Sequence, residues 1–112
     1  MAIKAPNLTF DRIQAARARS SLEDEIAQER AAALGRAGRA LARAVAALDD
    51  RTRNEDRETL LLDAAEKAQG YFIQREMLGI RDHSEIIREY EIPSAVIGRI
   101  GIMRRLHSRT HH

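Results

Sequence analysis

The residues of this chain best suited to chemistry are three arginines and a glutamate. Arg75, Arg99 and Arg30 each fall within the apolar arc of a different helical stretch, and Glu76 stands next to the first of them. A guanidinium withdrawn from water must be paired and hydrogen-bonded, because stranding it costs on the order of several kcal/mol. Two arrangements meet that demand. In the first, a polar network built on Arg30, Arg75, Glu76 and Arg99 is answered by Glu23, Glu76 or Asp82. In the second, Arg75 and Arg99 converge on a carboxylate or phosphate, which the planar guanidinium fits. The network is the preferred reading, and a small-anion site comes after it.

The other reactive types lead nowhere specific. Of His83, His107, His111 and His112, only His107 and His111 have a spacing that could share a metal on a helix. They lie in a polar tail, where a frayed end is the simpler account. No Glu-x-x-His occurs, which removes the carboxylate-bridged di-metal bundle. The absence of cysteine removes a disulfide, a thiolate zinc site and a thiol nucleophile. The acidic clusters Glu23-Asp24-Glu25 and Glu55-Asp56 stand at helix starts, where capping and the helix dipole explain them. The expectation is a protein without enzymatic activity, metal or cofactor.

The stretch REYEIPSAVIGRIGIMRR, residues 88–105, raises a nucleic-acid reading. Ile86, Tyr90, Ile92, Ile97 and Ile100 fall where a helix-turn-helix places its buried residues. Ile87, however, stands where that motif has a small residue, and Glu91 where it has a turn glycine. Contact to DNA would fall to Ser94, Arg99, Arg104 and Arg105. Of the reading face itself, only Ser94 and Arg99 could bond a base edge, and Glu85, Glu89 and Glu91 would repel phosphates. A DNA-binding regulator using residues 83–105 is therefore the alternative, and a helical corner packed in the core is preferred.

The elements that must position these residues are all helices. At 112 residues the chain is long enough for one modest core. Phe10, Phe72, Tyr71 and Tyr90 are the only aromatic side chains, so alanine and leucine must fill the interior. Arginine outnumbers lysine 17 to 2 beside 19 alanines, a composition suggesting a bacterial source. The net charge of +2 is divided unevenly: +3 over residues 1–20, −5 over 21–91 and +4 over 92–112. Neither an apolar leader nor a stretch of transmembrane length is present, so a cytoplasmic protein without membrane contact is expected.

Read in order, residues 1–20 form a basic arm that Pro6 keeps from helix. Ser20 and Ser21 then cap a long helix running to Leu48. A second long helix spans about Arg53 to Leu78, with Gly79 as its left-handed terminator. Asp82 and Glu85 open a short third helix to about Glu89, and Pro93 opens a fourth that Gly101 stops. The fold class is all-α: a small helical bundle of two long and two short C-terminal helices over 21–106, followed by a disordered tail over 107–112.

Gly35 and Gly38 interrupt the first helix at about 1 kcal/mol each relative to alanine. With Ala27, Ala31 and Ala42 they form a stripe of small residues beside the leucine arc, which lets another helix approach closely. Burial on two sides points to a homodimer with this helix near the twofold axis. The competing account covers both sides within one chain. Gly98 and Gly101 repeat the pattern more weakly, and neither pair has the strand–loop–helix setting of a phosphate loop.

The segment QREMLGIRDHSEIIREYEIPSAVIGRIG, residues 74–101, resembles the C-terminal signature of a family of short bacterial proteins of unknown function. The matching pieces are Gln-Arg-Glu, Gly-x-Arg-Asp, Tyr-x-Ile-Pro and a closing glycine. LEDEIAQERAAALGRAGRAL, 22–41, is similar to that family's first helix, so the resemblance spans about 20–101. It implies a compact helical protein and singles out Gln74, Arg75, Glu76, Arg81, Asp82, Tyr90, Pro93 and Gly101, without implying an activity or ligand. The functional expectation is homodimerisation and contact with a further protein.

Overall fold

The computed structural model describes residues 4–110. Four helices follow one another: α1 (Lys4–Asp49), α2 (Arg57–Met77), α3 (Ser84–Glu89) and α4 (Ser94–Thr110). No strand occurs among the described residues, so the all-α expectation holds. Among them, too, no helix is long and apolar enough to cross a membrane.

Helices α1 and α4 both extend past their expected boundaries. Helix α1 begins at Lys4, so Ser20 and Ser21 lie inside it and the described residues before them are helical. Pro6 sits in the first turn, where its missing N–H has no intrahelical acceptor to lose, and the next glycine is Gly35. Helix α4 likewise runs through Gly98 and Gly101 to Thr110, because a lone glycine weakens a helix by about 1 kcal/mol without ending it. His111 and His112 lie outside the described residues.

The chain divides into two compact units, Met1–Ala32 and Ala33–His112. In the first, every described side chain from Thr9 to Ala32 is exposed. Phe10 is 58% exposed, Leu22 56%, Ile13 44% and Ile26 43%. Arg30 is also exposed, and the buried network expected around it is absent.

The second unit holds the core. Leu41 and Ala44 of α1 meet Leu61, Ala64, Ala65, Ala68, Tyr71 and Phe72 of α2, with Ile86, Ile92, Val96 and Ile100 closing the cluster. The small residues Ala64, Ala65 and Ala68 are fully shielded, and α4 packs along α2 where they allow close approach. Val96 is fully shielded, whereas Ile97, one of the residues a helix-turn-helix would bury, is only half-buried. Leu78, the expected last residue of α2, follows its end and is exposed.

Between α1 and α2, Asp50 accepts bonds from the Thr52 amide (3.0 Å) and hydroxyl (2.6 Å). Arg53 grips Glu55 at 2.8 Å. These local bonds hold residues 50–55 in a turn, and α2 starts at Arg57 instead of Arg53. Both later corners share one C-terminal design. The Gly79 amide bonds the Glu76 carbonyl (2.9 Å) and the Ile80 amide that of Arg75 (3.0 Å), with Gly79 left-handed at φ 87°. Glu91 repeats this at φ 53°: its amide bonds the Arg88 carbonyl, and the Ile92 amide that of Ile87.

Candidate functional site

Gly38 of α1, Tyr71 of α2 and Tyr90 after α3 meet at one point. A Cβ on Gly38 would stand 3.0 Å from the Tyr90 hydroxyl and 3.2 Å from Tyr71 Cε1. The glycine is therefore required by two aromatic rings of its own chain, which cross edge to face at 5.7 Å and 75°. Burial first, then the hydrogen bond with the Tyr71 hydroxyl, raises the Tyr90 phenol above its ordinary 10.0. The rest of the small stripe behaves differently. Gly35 is half-buried, while Ala27, Ala31 and Ala42 are exposed.

A polar knot extends from this aromatic contact. The Arg75 guanidinium lies 5.9 Å from the Tyr71 ring centre. Its Nε donates to His83 Nδ1 and its Nη2 to the Asp82 carbonyl, both at 3.2 Å. Arginine can only donate, so His83 Nδ1 must be the acceptor. In a neutral ring the proton then sits on Nε2 and points at Glu76 Oε2, 3.0 Å away. The imidazole is stacked on Phe72 at 4.4 Å and 8°, and its side chain is 12% exposed. Asp82 anchors the far side by accepting from the Ser84 amide (3.0 Å) and hydroxyl (2.7 Å). Those two bonds, the amide one first, lower its carboxyl below the ordinary 3.8.

The expected partners are thus rearranged. Glu76 answers His83, and Arg75 is answered by His83 and a backbone carbonyl. His83 is the residue that sequence reasoning missed. Its signal was Gly79: a left-handed reversal after α2 returns residue 83 to the level of residues 75 and 76. Of the positions singled out by resemblance, Arg75, Glu76, Asp82 and Tyr90 come together at this corner. Arg81 is exposed, and Pro93 directly precedes α4, its carbonyl accepting from the Val96 and Ile97 amides.

Arg99 stands apart from that knot. It meets Glu58 in a two-pronged pair, Nη2 to Oε2 at 2.6 Å and Nε to Oε1 at 3.2 Å, and donates Nη1 to the Ala95 carbonyl. The hydrogen bond to Arg99 lowers the Glu58 carboxyl and raises the guanidinium in turn. Glu58 was not among the partners expected for Arg99. Both arginines are half-buried, and no polar side chain among the described residues is fully buried. Ser94 is exposed at the start of α4, while the side chains of Arg104 and Arg105 lie outside the described residues. Thr59, Leu62, Asp63 and Glu66 line an open groove on α2 that includes none of the candidate residues.

The guanidinium groups of Arg75 and Arg99 are both bonded inside the chain, and the bonds of Arg75 tie the end of α2 to the turn that follows it. No curated protein and no solved structure matches the chain. A family of unknown function does match, over residues 7–108, wider at both ends than the resemblance read from the sequence. The chain therefore belongs to that family of unknown function, DUF6665.

Proposed function

We propose that this protein is a non-enzymatic helical module that acts through self-association and through contact with a further protein. The observation that carries the reading is the first stretch of α1. From Thr9 to Ala32 the helix packs none of its side chains away from solvent, although Phe10, Ile13, Leu22 and Ile26 are all large and apolar. Helices in proteins draw most of their stability from packed apolar side chains. At 3.6 residues per turn Phe10 and Ile13 share one side of α1 and Leu22 and Ile26 the other, and the open side that Phe10 and Ile13 share is a contact surface. The test is light scattering behind a sizing column, at low and high salt. A mass near twice 12.6 kDa at both supports the reading. A monomer at every concentration defeats it, leaving α1 as a solvated single helix.

One observation favours a second reading, DNA binding through residues 83–105. Glu91 takes the left-handed conformation that the turn glycine of a helix-turn-helix provides, so the departure in sequence is not one in backbone. Arg99, the main candidate for base contact, would first have to leave Glu58. Fluorescence anisotropy with duplex DNA decides it. Affinity falling steeply with salt favours this reading, and no binding at low salt removes it.

A further inference from the structure

We propose that two copies of the chain pair antiparallel along the Thr9–Ala32 stretch of α1, with the twofold axis between Ser20 and Ser21. This rests on the self-association reading and adds direction and register to it. Phe10, Ile13, Arg17, Asp24, Ala27 and Ala31 recur at three- and four-residue steps or their sum, so one face of α1 carries them all. That face is graded along its length. Its N-terminal half is bulky and basic, with Phe10, Ile13 and Arg17; its C-terminal half is acidic and small, with Asp24, Ala27 and Ala31. The charge of the whole stretch is graded in the same sense. Arg12, Arg17 and Arg19 follow one another without an intervening acid, and Glu23, Asp24 and Glu25 come next.

An antiparallel pair about the Ser20–Ser21 axis brings Phe10 level with Ala31 of the partner subunit and Arg17 level with Asp24 of the partner subunit. Each ring then lies over a small residue and each cation beside an acid, and the twofold axis repeats both contacts. A parallel pair does the opposite: it sets Phe10 on Phe10, Arg17 on Arg17 and Asp24 on Asp24. Exposed ion pairs add little attraction, so the charges select direction while burial of Phe10 and Ile13 drives association. In this arrangement Ala27 and Ala31, two members of the small stripe, meet the bulky end of the other copy.

The chain has no cysteine, so single labels can be placed at will. Asp11→Cys and Arg19→Cys lie off the proposed face and accept spin labels in the full-length protein. At 1.5 Å rise per residue, the two Asp11 sites should be about 28 Å apart along the helix axis and the two Arg19 sites about 5 Å. Dipolar spectroscopy should therefore return a distance at least about 10 Å longer for the first label than for the second. Equal distances in a dimer would mean parallel pairing and overturn the proposal. A dimer with no measurable coupling at either site would overturn it while leaving self-association intact. A monomer would overturn both. Arg17→Asp should weaken the dimer about tenfold, as should Asp24→Arg, and the double exchange should restore it. Loss without restoration would contradict the register.

Discussion

Replacing Gly38 and Gly35 by alanine, one at a time, separates a glycine that the packing requires from one that it does not. Both lie inside α1, so each substitution should gain about 1 kcal/mol of helix propensity. At Gly35 the new methyl meets only the end of the flexible Arg39 side chain, at 3.3 Å, and that end can swing away. Gly35→Ala should accordingly stabilise the protein by close to the full 1 kcal/mol, or about 4–8 °C in Tm for a domain of this size. At Gly38 the methyl meets the Tyr90 hydroxyl at 3.0 Å and the Tyr71 ring at 3.2 Å, and Tyr71 is buried. Overfilling a packed site costs about 1–3 kcal/mol, so the net change should run from nothing to a loss of about 2 kcal/mol. Urea melts of the two variants beside the parent protein measure this directly. The near-ultraviolet signal of Tyr71 and Tyr90 should change in the Gly38 variant alone. If Gly38→Ala stabilises as much as Gly35→Ala, the tyrosine contact does not explain the glycine.

Three other perturbations probe the corners. Glu91→Gly should raise stability by about 0.5–1 kcal/mol in denaturant melts, since φ 53° strains a residue with a Cβ; a loss would mean that the Glu91 side chain supports the turn. His83→Ala should destabilise by about 2 kcal/mol by stripping Arg75 and Glu76 of a shared partner, and a change below 0.5 kcal/mol on the order of surface substitutions would mark the knot as incidental. The Glu58 carboxyl is held below its ordinary 4.5 by Arg99, so its stabilising effect is complete above that value and fades as pH falls through the lowered one. Arg99→Gln should therefore be less stable than the parent near neutral pH and converge with it in acid, as followed by thermal melts across pH 2–7 taken at about one-unit steps. A gap that widens toward acid would contradict the pairing.

The sequence-legible part of the fold is the part governed by local chemistry. The leucine and alanine spacing of α2, the reversal at Gly79 and the start of α4 just after Pro93 each follow from a residue's own backbone preference or spacing. The boundaries of α1 and α4 did not follow, because Pro6 and Gly101 were read as breakers when position and neighbours decide whether they break. The partners of Arg75 and Arg99 were hidden for another reason. Glu58 lies 41 residues from Arg99, and only the packing of α4 along α2 joins them. His83 was within reach, since the turn that brings it back was itself recognised. Gly38 stands against Tyr71 and Tyr90 of its own chain, and spacing alone could not tell a ring of the same chain from a second helix.

The central claim is that the open stretch of α1 is covered by another copy of the chain. Light scattering on the purified full-length protein, over a dilution series and at two salt concentrations, tests it most directly. A species of about twice 12.6 kDa that dissociates on dilution and is weakened by Phe10→Ala is expected. A mass of 12.6 kDa throughout, unchanged by that substitution, would contradict it.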